Sequence, residues 1–186
     1  SLLTAGVAGL VAGAVSMALG EYASVSTQRD AERSLLIKER RELAEEPEEE
    51  LAELAALYEA KGLSTETAQK VAQELTDHDP FAAHVDIELG IDPDALTNPW
   101  QAAASSAVSF ISGALLPLLS ILLLPASQRM PVTFGVVSVA LAWSGTISAR
   151  LGGAPSRPAV TRIVIGGAIA MAVTYAIGQL AGVAGI

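Results

Sequence analysis

Residues 1–21, SLLTAGVAGLVAGAVSMALGE, hold no charged side chain before Glu21. At ~1.5 Å per helical residue, such a run reaches across the ~30 Å hydrocarbon core of a bilayer. Three more uncharged runs follow: Pro99 to Leu124, Pro131 to Ala149 between Arg129 and Arg150, and Ile163 to Ile186 after Arg162. One run of this kind also fits a helix buried in a large core. Four of them in 186 residues do not. The expected fold class is all-α, a polytopic membrane helix bundle. Its spans fall within 1–28 and at 99–124, 131–150 and 162–182.

The charges confirm two materials in one chain. Nineteen of the 20 acidic residues lie between Asp30 and Asp94, and seven of the 11 basic ones between Arg29 and Lys70. That block carries −12 and the rest +3, which explains how a mean hydropathy of +0.45 coexists with a net charge of −9. Residues 29–98 are thus expected to form a polar helical domain inserted between the first span, 1–28, and the three spans of 99–186. With no cysteine there is neither a disulfide nor a thiolate metal site. A net acidic chain is not expected to bind nucleic acid. No basic region precedes the first run, so it does not read as a signal peptide.

Basic residues set the expected orientation. Arg29, Arg33, Lys38, Arg40 and Arg41 follow the first span, and Arg150, Arg157 and Arg162 separate the last two. Alternating spans put both groups on one side, and the positive-inside rule makes that side cytoplasmic. The acidic block is then cytoplasmic and the N-terminal end of the first span is outside, as if a preceding helix were lost. Gly9 and Gly13 have the small-xxx-small spacing that lets helix backbones approach, either within one monomer or across a dimer seam. Pro117 removes a backbone donor inside the second span and is expected to kink it.

Inside the block, helix formers run on from the first span to Glu46. Pro47 starts a second helix with Glu48, Glu49 and Glu50 in its first turn, where acids suit the helix dipole, and Gly62 ends it. Ser64 caps a third helix to about Thr76, and Asp79-Pro80 opens a fourth that ends near Gly90. Asn98 caps the return into the membrane, with Trp100 at interface depth.

Three groups of residues have chemistry to offer. Glu39, Glu42, Glu46, Glu49, Glu50 and Glu53 share roughly one third of a helical wheel, broken by Pro47 into two faces that meet at a corner. Such a cluster is either a solvated acidic face, part-neutralised by Lys38, Arg40 and Arg41, or a seat for a hard or borderline divalent ion. In HDPFAAHVDIELG, residues 78–90, His84 and Glu88 stand one helical turn apart and can hold a metal jointly. His78 reads as a surface residue. Glu21 is the only acid outside the block. It either ends its span at the interface or, with Met17 one turn before it and Ser16 and Ser24 nearby, lines a path for a metal in transit. No paired Glu-x-x-His motif of a di-iron oxidase, HExxH, EF-hand or phosphate loop occurs. Neither an enzyme nor an organic cofactor is expected.

SMALGEYASVSTQRDAE (16–32), NPWQAAASSAVSFISGALLPLL (98–119) and GGAIAMAVTYAIG (166–178) closely resemble the vacuolar iron transporter family of iron and manganese transporters. The resemblance covers essentially the whole chain. It implies a homodimer of five-helix subunits that moves Fe2+ or Mn2+ out of the cytosol, in exchange for protons, with Zn2+ or Co2+ as surrogate ions. The chain then starts at the family's second helix. By position, the resemblance assigns metal binding to Glu39, Glu42, Glu50, Glu53 and Glu88, with His84 where plant relatives place a methionine. Glu32, Glu46 and Glu74 are further candidates, and Met17 and Glu21 line the transport path. A bacterial plasma membrane is expected, or a vacuolar-type membrane in a eukaryote. The competing expectation is a membrane-anchored module that senses or stores metal without transporting it.

Overall fold

The structure is a computed structural model and describes residues 2–183. Ser1 and residues 184–186, at the outer edges of the first and last expected segments, lie outside the described residues. All regular structure among the described residues is helical. In chain order it comprises α1 (Leu2–Glu45), α2 (Pro47–Ala60), α3 (Thr65–His78), α4 (Pro80–His84), a π-helical turn (Val85–Leu89), α5 (Pro99–Leu123), α6 (Ala126–Leu151) and α7 (Ser156–Val183).

Helix α1 decides the architecture. Its 44 residues extend about 66 Å, twice what the hydrocarbon core requires, so one helix serves first as a membrane span and then as a polar rod. Four helices, α1, α5, α6 and α7, are long and apolar enough to cross a bilayer, and almost none of their apolar windows is buried within the chain. Side chains such as Val139, Trp143, Ile169 and Leu180 point outward, as they must where lipid replaces water. The protein is a multi-pass membrane helix bundle.

The described chain forms two compact units. One gathers the N-terminal stretch through Ala14 with the chain from Val108 onward. Its helices meet at glycines: Gly6 lies against Leu118, Gly13 against the Phe110 ring, Gly167 against Leu141, and Gly145 against Val160 and Ile163. Gly13 thus packs within the chain, whereas Gly9 has nothing beside it. The close-approach seam on α1 uses a spacing of seven and not the expected spacing of four. Three hydroxyls inside these spans bond back to their own helix, Ser112 to the Val108 carbonyl, Ser120 to that of Leu116 and Thr146 to that of Ala142, so these donors are not stranded in an apolar layer.

Helices α6 and α7 start earlier than hydropathy alone suggests. Helix α6 begins at Ala126, with Pro131 inside it and the Arg129 Nε donating to the Leu124 carbonyl at 3.0 Å. Helix α7 begins at Ser156 with Pro158 in its first turn, where a missing donor costs nothing. Both additions are polar turns that continue a helix beyond its apolar segment.

The second unit runs from Val15 to Ala107. Pro47 occupies the first turn of α2, Gly62 turns the chain at φ 103°, and Ser64 accepts from the Thr67 amide to cap α3. Helices α2 and α3 close on a small core of Leu54, Ala55 and Ala72, flanked by Leu51, Tyr58, Leu75, Ala83 and Ile87. Asp79 caps α4 through the Ala82 amide at 3.0 Å. The fourth helix opens at Pro80 and closes at Gly90 as expected, with a change of winding inside it. After five residues α4 widens into the π turn, which ends at Gly90 with φ 60°. Asn98 Oδ1 accepts from the Trp100 amide at 3.0 Å to start α5, and the Trp100 ring meets Tyr22 of α1 at 4.7 Å between centroids.

Candidate metal centre

Pro47 forces the chain from α1 into α2 after a one-residue break, so the end of α1 and the start of α2 bring carboxylates towards each other. The Asp79 cap and the packing of Ala83 and Ile87 on the α2–α3 core place α4 and the π turn against them. Arg40 of α1 lies over the Phe81 ring at 4.4 Å, clipping α4 to the rod one residue beyond Glu39.

These elements converge on His84, which is fully buried. Its Nδ1 stands 3.1 Å from Glu39 Oε1, 3.5 Å from Glu50 Oε2 and 3.6 Å from Glu88 Oε2. Glu39 and Glu50 are themselves buried, at 3% and 7% exposure, and the Glu88 side chain is partly open to solvent. Glu39, Glu50 and His84 offer donor atoms that all lie within 4.8 Å of one another. No other group of three such ligands occurs among the described residues.

The polar atoms at the centre lack hydrogen-bond partners. Neither His84 nitrogen is hydrogen-bonded, and neither is Glu39 Oε1, since the 3.1 Å approach is not aligned for a bond. Buried polar groups are satisfied in the great majority of cases. A nitrogen facing three carboxylates, with none of them in line, matches a site whose partner is a cation. Metal–donor bonds of about 2.0–2.2 Å set neighbouring donors about 3.0–3.6 Å apart, the range seen around Nδ1.

Electrostatics agree with the geometry. Burial first, then the charges of Glu88, Glu50 and Glu42, push the Glu39 carboxyl up to about 7, with His84 opposing. Glu50 is raised in the same sense, again by burial first, with Glu53, Glu42 and Glu88 adding to it. Two carboxylates held above their ordinary range are short of positive charge, which a divalent ion would supply.

The other sequence candidates are placed as follows. Glu42 is near enough to act on Glu39 and Glu50, but its Oε2 is held by Lys38 Nζ at 2.6 Å. Glu53 is exposed and acts on Glu50. Glu46 is the exposed residue preceding α2 and Glu49 is exposed beside it. Glu32 accepts from Gln28 at 2.8 Å, and Glu74 is exposed on α3, so neither joins the cluster. His78 is exposed at the end of α3. Of the basic residues expected to neutralise the face, Lys38 pairs with Glu42 and Arg41 approaches Glu45 at 3.9 Å, while Arg40 stacks on Phe81. Met17 and Glu21 are both exposed, one turn apart on α1, with Glu21 adjacent to the Tyr22–Trp100 pair. Sequence reasoning missed the Arg40–Phe81 stack and the π turn. The aromatic three residues before His84 was the available sign of the first.

Residues 1–179 match the model of the VIT family. Over 180 residues the chain is 41% identical to a protein of Acanthamoeba castellanii named vacuolar iron transporter, covering 96% of this chain and 69% of that one. It is 33% identical to vacuolar iron transporter homolog 1 of Oryza sativa subsp. japonica, over 100% of this chain and 62% of that protein. Vacuolar iron transporter homolog 2.1 of Arabidopsis thaliana is 34% identical over 98% of this chain and 68% of its own length. The chain thus spans about two thirds of the length of these relatives.

Proposed function

The chain belongs to the VIT family, and from that premise we infer that it transports divalent metal, moving Fe2+ or Mn2+ out of the cytosol in exchange for protons. Residues 29–98 form a cytoplasmic capture domain, and residues 1–28 with 99–186 form the membrane part of a homodimer. The observation that carries this reading is the buried His84 among Glu39, Glu50 and Glu88, with its Nδ1 unpartnered.

In this mechanism the metal is substrate. It enters from the partly open Glu88 side, displaces protons from Glu39 and Glu50, and is held by these carboxylates with His84. Glu42 and Glu53 supply negative potential at the rim, which raises the local cation concentration. Neutralising the carboxylates draws the end of α1, the start of α2 and the α4–π segment together. Glu21 lies 18 residues back along the same continuous helix, about 27 Å away. There Met17 and Glu21 give a soft and a hard donor one turn apart, and Glu21 binds metal and proton alternately.

Proteoliposomes test the reading. Reconstituted protein is expected to carry Mn2+ or Fe2+ down an opposing proton gradient, and Glu21→Gln is expected to abolish flux while leaving binding at the Glu39–His84 cluster intact. Full flux in Glu21→Gln would remove Glu21 from the path. Binding without any flux in the wild type would favour a sensing or storage role.

A further inference from the structure

Carboxylates alone do not choose well among divalent ions. An all-oxygen cage of Glu39, Glu50 and Glu88 suits Ca2+ and Mg2+ as readily as Mn2+. The fourth group at this centre is of another kind. His84 contributes an imidazole nitrogen, a donor that suits iron, zinc and related transition ions and is a poor ligand for hard cations. We propose that His84 is the specificity-determining residue of the cluster, binding the ion through Nδ1 and making it favour borderline transition ions over Ca2+ and Mg2+. The proposal rests on the capture reading above and adds to it the identity of the discriminating ligand.

Three observations carry it. First, Nδ1 faces carboxylates from three different elements, α1, α2 and the π turn, at 3.1, 3.5 and 3.6 Å. One proton on Nδ1 serves one of them at most, whereas a metal bound there serves all three. Second, neither nitrogen has a hydrogen-bond partner, which is unusual for a histidine with a purely structural task. Third, the ring cannot turn away. It is fully buried at the junction of α4 with the π turn, next to Val85 at 1% exposure, and the Arg40–Phe81 stack holds α4 in place. A fixed nitrogen takes one coordination position permanently. Mg2+, which demands near-ideal octahedral oxygen ligation, is disfavoured by that alone.

The test uses the full chain in detergent micelles with Mn2+ alone as probe. Pulsed electron paramagnetic resonance is expected to show 14N modulation from a directly bound imidazole, and His84→Gln, which offers an amide oxygen instead, is expected to lose it. In competition titrations, the preference for Co2+ over Ca2+ is expected to fall in His84→Gln by about tenfold or more, the range that even outer-shell partners of metal ligands command. Ca2+ affinity should stay within about threefold of wild type, since the hard donors remain. The wild-type nitrogen signal decides the matter even where the variant folds poorly. Absence of 14N modulation in wild-type protein, with Mn2+ binding still lost in Glu39→Gln/Glu50→Gln, would overturn the role of His84 and leave capture standing. Undiminished Mn2+ binding in that double variant would overturn both.

Discussion

Replacing Glu39 with glutamine should make the metal-free protein more stable at pH 8, although it removes a metal ligand. In the folded protein the Glu39 carboxyl titrates near 7, against 4.5 for the ordinary group, with burial as the first cause and neighbouring glutamates next. A carboxyl raised in this way binds its proton more tightly folded than unfolded. Its contribution is therefore fully present below pH 4.5 and is lost as pH rises through 7. At ~1.36 kcal/mol per pKa unit the loss amounts to about 3 kcal/mol by pH 8. Glutamine keeps the shape and never ionises, so it avoids that cost. The assay is hydrogen–deuterium exchange of the α2 and α4 amides in detergent-solubilised, metal-free protein. Glu39→Gln should slow exchange by up to about two orders of magnitude at pH 8 and by no more than about fourfold at pH 5, with wild type and variant compared at each pH. Equal or faster exchange in the variant at pH 8 would refute the argument that an ionised Glu39 strains the metal-free site.

Four other outcomes follow from the same structure. Metal and protons compete for Glu39, so Mn2+ affinity measured by titration calorimetry should drop as pH falls through about 7 and recover above it. Phe81→Ala removes the stack under Arg40, worth about 0.5–1 kcal/mol, and should weaken Mn2+ binding by about two- to fivefold, whereas Phe81→Tyr keeps the stack and should not. Gly13→Val places side-chain atoms where the Phe110 ring sits and should destabilise the membrane unit by about 1–3 kcal/mol, read as a lower melting temperature in detergent. Gly9→Ala, with open space beside it, should be nearly neutral.

The membrane fold was legible because length and the absence of charge are properties of each segment by itself. Pro47, Ser64, Asp79 and Asn98 likewise mark helix starts locally, and each stands at one. What a wheel cannot show is which of several equivalent glutamates turns inward. Glu39 and Glu42 are one turn apart on α1, yet Glu39 is buried against His84 while Glu42 is held by Lys38. The difference comes from α4, whose His84 and Phe81 come against Glu39 and Arg40 of α1, a tertiary contact. His84 reads as half of an i, i+4 pair with Glu88, but its nearest carboxylate belongs to a residue 45 positions away, Glu39. The π turn escaped because nothing in VDIEL departs from ordinary helix formers. Gly9 and Gly13 fit a motif whose two members the packing then separates.

The central claim is that Glu39, Glu50, Glu88 and His84 hold the ion that the membrane helices carry. Anomalous diffraction from crystals soaked in Mn2+, collected on both sides of the manganese edge, tests it most directly. A peak about 2.0–2.3 Å from His84 Nδ1 and from carboxylate oxygens of Glu39, Glu50 and Glu88 is the expected result. Manganese bound only along exposed Glu46, Glu49 or Glu53, with His84 unligated, would contradict it.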